Sequence, residues 1–226
     1  MNNILLTRLI EDNKEDRFYF QQKGFETVEI PLIRLEKREV GPSFESMVKQ
    51  SEWIFLTSQH AAVFFLQQIS KSTLQMKKFA VIGEKTAQVL LASDIKPAFQ
   101  ATSPTKKNLV EAWTANYVVP TRIFYPKSNL ADNSGEKKLI VSGHQLFTPI
   151  LYDNYFPKEN QRLLQECLLT TKLKAAYLAS PSLWQRFLSV FRTTELKEMP
   201  KLYCLGETTR QAIIEDGYEA TLRSDI

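Results

Sequence analysis

Cysteine and histidine are scarce in this 226-residue chain, two of each. Cys167 and Cys204 stand far apart in apolar surroundings, where a cysteine reads as a small buried hydrophobe rather than half of a disulfide, and no redox role is indicated. His60 and His144 are the only imidazoles, and no pair has CxxC or HxxxH spacing, so no ligand set for a metal is visible. No apolar run approaches a membrane span, and the opening MNNILLTRLIEDNKEDRF turns charged after a few apolar residues, unlike a secretory leader. The expected address is the cytoplasm, with no membrane partner. Basic residues are scattered in pairs such as Lys77 with Lys78, Lys106 with Lys107 and Lys137 with Lys138, without the dense stripe that nucleic acid requires. A net charge of +4 remains compatible with an acidic small molecule drawn to a basic cleft.

Familiar catalytic signatures are also missing. GEKT (83–86) has the lysine and threonine of a phosphate loop but neither the adjacent GK nor the upstream glycine, so nucleotide hydrolysis is rejected. No GxGxxG follows the first strand and no GxSxG elbow occurs, which removes the mechanical parts of dinucleotide binding and esterase chemistry. No cofactor is encoded.

What is present is order. At 43% hydrophobic and 24% charged residues the chain is an ordinary globular one, long enough for one large domain or two small ones. NILLT, TVEIPLI, EWIFLTS, KFAVIG, RIFYP, FTPILY, AAYLAS and KLYCLG read as short buried strands. Between them KEDRFYFQQKG, QHAAVFFLQQI, EKTAQVLLASD, LWQRFLSVFR and TTRQAIIEDG have helical spacing, two of them closing on Gly24 and Gly217. Alternating strands and helices of these lengths imply α/β architecture, with parallel sheets covered on both faces.

Four landmarks occur twice in the same order. Arg8 and Lys127 each precede a glycine, Gly24 and Gly143, by 16 residues; Ser58 precedes Gly83 by 25 and Ser180 precedes Gly206 by 26. This is the mark of an internal duplication of a unit near 100 residues, and it favours two similar compact domains. Arg8, Ser58, Gly83, Lys127, Ser180 and Gly206 fall where a strand gives way to a helix, the edge at which α/β sheets collect ligands and helix N-termini offer free N–H groups to anions. The plain alternative is that these serines and threonines cap helices and that Gly83 and Gly206 serve tight turns.

The order and spacing of LLTR, GFETVEIPLI, FLTSQHAAVFF, AVIGEKTA, YPKSNL, ILYDNY, LASPS and LGETTRQAI resemble the uroporphyrinogen-III synthase family over nearly the whole chain. Asn129, Gly143 and Tyr152 stand at the separations the family shows between its GN pair, a later glycine and its VY tyrosine. The resemblance implies two similar flavodoxin-like α/β domains: one discontinuous, 1–34 with 156–226, and one inserted, 38–150. A two-stranded linker, near 31–37 and 148–157, would join them. It implies a cofactor-free lyase that cyclises hydroxymethylbilane, a linear tetrapyrrole with eight carboxylates, losing water and inverting ring D to give uroporphyrinogen III in haem biosynthesis. It further implies a monomer, with transient contact to the upstream deaminase.

Carried over residue by residue, the resemblance makes Tyr152 the catalytic phenol and Thr57, Ser58, Asn129, Ser180, Thr208 and Thr209 substrate-binding positions. Arg8 belongs to the bacterial TR pattern and either pairs with a substrate carboxylate or forms a surface ion pair. The glycine usual before Asn129 is Ser128, and Ala131 and Asp132 replace a basic residue, leaving Lys127 as the loop's cation. Tyr152 has an ordinary alternative as well, packing its ring and keeping its hydroxyl wet. The competing function is a two-domain binding protein that closes on a small molecule without reacting.

Overall fold

The computed structural model describes residues 2–103 and 105–226. In chain order the elements are β1 (Asn3–Leu6), α1 (Asn13–Gln22), β2 (Glu26–Glu29), β3 (Arg34–Lys37), α2 (Ser43–Gln50), β4 (Trp53–Leu56), α3 (Gln59–Leu66), β5 (Lys78–Val81), α4 (Glu84–Leu91), β6 (Phe99–Gln100) and α5 (Lys106–Asn116). They continue as β7 (Arg122–Phe124), β8 (Lys127–Ser128), α6 (Ser134–Val141), β9 (Gln145–Phe147), β10 (Ile150–Tyr155), α7 (Lys158–Thr170), β11 (Leu173–Leu178), α8 (Pro181–Phe191), β12 (Lys201–Cys204), α9 (Glu207–Glu215) and β13 (Ala220–Leu222). Two compact units result: Met1–Arg34 with Tyr155–Ile226, and Leu35–Asn154.

The first unit is built on a parallel sheet ordered β13-β12-β11-β1-β2, the second on a parallel sheet ordered β6-β5-β4-β7-β9. Their central strands are apolar at successive positions because helices cover both faces. In β4, Ile54 and Leu56 face a core containing Phe44, Phe65 and Leu90, while Trp53 and Phe55 face Leu109, Trp113 and Leu139. The first unit repeats the arrangement: Leu5, Ala176 and Leu202 pack on Trp184, Phe187 and Ile213, and Ile4, Leu6 and Tyr177 pack on Phe20 and Ile226. Gly24, Gly143 and Gly217 follow α1, α6 and α9 at φ 79°, 88° and 87°, the left-handed backbone that ends a helix most cheaply at glycine.

The duplicated landmarks do not coincide with the units. The first sequence copy supplies β1 and β2 to one sheet and β4 to β6 to the other; the second supplies β7 and β9, then β11 to β13. Each sheet is therefore completed by pairing one copy with the other, β1 against β11 and β4 against β7. FTPILY, expected as one strand, is two. Pro149, with no N–H to donate, separates β9 in the second unit's sheet from β10, which lies between β3 and β8 in a third, three-stranded sheet. TVEIPLI likewise stops as a strand at Glu29, before Pro31.

Candidate active site

The sequence-derived candidates fall on the carboxyl edges of the two five-stranded sheets and on the short sheet of the second unit.

In the second unit, β4 ends into Thr57 and Ser58. Ser58 has extended backbone, φ −159° and ψ 155°, and its Oγ accepts a hydrogen bond from the Ala61 N–H at 3.0 Å, capping α3. The same oxygen lies 3.2 Å from the Tyr152 hydroxyl. Tyr152 projects from β10, is only 8% exposed, and rests its ring against Phe64 at a centroid distance of 5.2 Å. Burial pushes its phenol above the ordinary value, opposed by hydrogen bonds to Ser58 and to Ser128. Ser128 is the register partner of Tyr152 across β8 and β10. The serine that replaces the family's usual glycine is thus part of the hydroxyl cluster.

Thr57 meets a second buried phenol, Tyr125, whose pKa is raised by burial and lowered by that hydrogen bond. Asn129 turns back on the short sheet: its N–H donates to the Tyr152 carbonyl at 3.2 Å and its Oδ1 accepts from the Asn154 N–H at 2.8 Å. Lys127 is tied down by Glu136 Oε1 at 2.6 Å and Asn133 Oδ1 at 2.5 Å, with both members of the ion pair largely buried. Asp132 accepts from Lys106 at 2.7 Å and from the Ser134 N–H at 2.9 Å as α6 begins; the Lys106 hydrogen bond first, then Ser134, holds its carboxyl far below the usual range. The loop's cations are therefore neutralised internally.

In the first unit, Ser180 has the same extended backbone as Ser58 and accepts from the Leu183 N–H at 3.3 Å. Both capping readings hold, and at Ser58 the cap and the contact with Tyr152 share one oxygen. Gly206 opens α9 with extended backbone and no side-chain cap, and a Cβ there would meet nothing within 4 Å. No tight turn demands this glycine. It leaves the first-turn N–H groups of α9 without a side-chain acceptor, with Thr208 exposed beside them and Thr209 buried. Arg8 donates to the Asp12 carbonyl at 3.1 Å and to Asp16 Oδ2 at 3.0 Å. The Asp16 carboxylate is wholly buried, and Arg223 also pairs with it. Sequence reading missed Asp16, Arg223, Glu136 and the roles of Tyr125 and Ser128, although Tyr125 opens the YPKSNL motif and Ser128 lies within it.

A family model described as uroporphyrinogen-III synthase HemD matches residues 15–225. The chain belongs to the uroporphyrinogen-III synthase family. Its members are cyclising lyases of tetrapyrrole biosynthesis, and this chain is an enzyme of that reaction. Two solved structures show the same two-domain α/β fold. A mutant uroporphyrinogen III synthase from the extremely thermophilic bacterium Thermus thermophilus is 16% identical with a TM-score of 0.67, the match covering 98% of this chain and 92% of that one. The uroporphyrinogen-III synthetase from Helicobacter pylori is 19% identical with a TM-score of 0.65, again over 98% and 92%. No curated protein sequence gives a match. Among the described residues, no helix of this uroporphyrinogen-III synthase family member is long and apolar enough to cross a membrane.

Proposed function

We propose that Tyr152 is the proton donor in closing hydroxymethylbilane to uroporphyrinogen III. The observation that carries this is the Ser58–Tyr152 hydroxyl pair. Ser58 Oγ already accepts from the Ala61 N–H, so its own hydrogen can point at the Tyr152 oxygen; with Ser128 donating to that oxygen as well, the phenolic hydrogen is left for substrate. Burial keeps that phenol protonated at neutral pH. Protonating the departing hydroxyl releases water and leaves an electron-poor azafulvene; attack on it gives a spiro intermediate that fragments and recloses with ring D inverted. Unassisted closure gives the uninverted isomer, so holding the chain for the right attack supplies the specificity.

The acetates and propionates are received by Thr57, Ser58, Ser180, Thr208 and Thr209 with neighbouring backbone N–H groups, by Arg8, and by Lys127, which keeps one ammonium hydrogen beyond its two acceptors. Asn129 holds the loop beside Tyr152. We assign the two units as the enzyme's domains, crossed near 31–37 and 148–157, acting as a monomer in the cytoplasm for haem synthesis, with the deaminase as transient supplier.

The test is direct. Hydroxymethylbilane is generated in situ by the deaminase, the products are oxidised, and type I and type III uroporphyrin are separated by chromatography. Type III should dominate with this protein. Tyr152→Phe should lower kcat roughly 100-fold, within the range for loss of a general acid, with KM little changed. Type I alone from folded wild type would sink the reading in favour of a non-catalytic binding protein, and an unimpaired Tyr152→Phe would remove the phenol from the chemistry.

A further inference from the structure

The first unit's sheet has a second charged edge. Four lysines, Lys172, Lys174, Lys197 and Lys201, stand on the rim of a groove of about 520 Å³ at the amino ends of β11 and β12. Leu168, Leu173 and Met199 are among the residues beneath them, and Glu198 is the one acid among the described residues lining it. Other lysines in the chain, Lys106, Lys127 and Lys138 among them, are matched to carboxylates at 3.0 Å or less. Among the described residues Lys172, Lys174 and Lys197 have no such partner, and Lys201 lies over the Tyr203 ring at 5.1 Å. A second groove of about 490 Å³ continues from this one, sharing Met199, Pro200 and Lys201 and adding Arg210 and Tyr218. Each volume is in the range of small-molecule sites, about 300–1,000 Å³.

An apolar floor ringed by unpaired ammonium groups selects an amphipathic polyanion: an apolar body with carboxylates on its periphery. Simple anions would gain nothing from the floor, and apolar molecules would desolvate the lysines without compensation. We propose that this groove is a second site for the carboxylated tetrapyrrole product. The choice of ligand rests on the family's reaction; the groove's chemistry does not. The six residues of β11 run from this edge to the one that carries Ser180, roughly 17 Å at 3.3 Å per residue, so this site is separate from the candidate binding residues of that unit.

The probe is uroporphyrin III, the fluorescent oxidised product, titrated against the full chain by equilibrium dialysis. Two molecules should bind per chain. Neutralising the rim with Lys172→Gln, Lys174→Gln and Lys197→Gln together, all exposed and free of structural bonds, should weaken one site at least tenfold and leave the other. Type III formation by that variant should stay within twofold of wild type. A control, Lys14→Gln with Lys96→Gln and Lys107→Gln, removes equal charge elsewhere and should retain both sites. One bound molecule in wild type, two that ignore the rim substitutions, or equal loss in the control would each overturn the proposal. Failure of the synthase reading would show separately, as absence of type III product from wild type.

Discussion

Removing the Lys127 ammonium tests how far the candidate loop is a structural element and how far a binding one. Lys127 and Glu136 have side chains only 14% and 7% exposed, with 2.6 Å between Nζ and Oε1. Glu136 Oε2 has no donor, so Lys127→Met leaves a buried carboxylate with none at all. Breaking one partner of such a pair costs about 3–5 kcal/mol. Glu136 sits in the first turn of α6, where the helix dipole returns about 0.3–1 kcal/mol. The net loss should be about 3 kcal/mol. Glu136→Gln should cost less, because Lys127 keeps Asn133 and its partial exposure. The double variant should recover part of the loss, giving a coupling above about 1.5 kcal/mol, within the range for residues in direct contact. Urea unfolding is best followed in a Trp184→Phe background, since Trp53 and Trp113, the remaining two of three tryptophans, both lie in the second unit. A Lys127→Met loss under about 1 kcal/mol, or additivity within about 0.5 kcal/mol, would refute the argument. Glu136→Gln also unmasks the ammonium charge, so KM for the polycarboxylate substrate should fall.

Two other buried groups give checkable outcomes. His144 is 4% exposed, accepts from the Thr121 N–H through Nδ1 at 3.3 Å and abuts Trp113, and burial holds its pKa below the usual 6.5. Its contribution is present above pH 6.5 and is lost as pH falls through the lower folded value, so the urea midpoint of the second unit should drop on acidification and drop less in His144→Gln; parallel curves would contradict this. In the first unit Asp16→Asn strips two arginines of a fully buried carboxylate, whereas Arg223→Met leaves Arg8 in place and loses a stack on Tyr19 at 4.5 Å. Thermal unfolding should rank Asp16→Asn, at about 3–5 kcal/mol, well above Arg223→Met, and the reverse order would show that Arg8 carries little of the pairing.

The inner strands of the two parallel sheets were legible because burial on both faces leaves unbroken apolar runs, whereas the short edge strands β6 and β13 went unread, and the junction serines were legible because a cap has to stand at the helix start. Pro149 defeated the reading of FTPILY: an apolar run says nothing of which sheet each part joins. The pairing of Arg223 with Asp16 spans 207 residues, and no local pattern records it. Lys127 was visible as a cation, but its neutralisation by Glu136 depends on how α6 is set against β8. Ser128 looked like a loss in sequence and became a hydrogen-bond partner once β8 and β10 were in register.

The interleaving of the two sequence copies has a kinetic side. During synthesis β1, α1 and β2 emerge first, yet the neighbour β1 requires, β11, begins only at Leu173. The unit Leu35–Asn154 is contiguous and has all its strands in hand before then. Since chains commonly fold from the N-terminal side as they are made, the inserted unit should be the first to become cooperative here, with the N-terminal segment waiting outside it. Loop-closure entropy grows only with the logarithm of length, so the long wait adds little to the equilibrium cost. Its burden falls on the nascent state, in which β1, with β2 as its one early strand neighbour, leaves the edge that β11 will cover and its Ile4, Leu5 and Leu6 side chains open until Leu173–Leu178 is made.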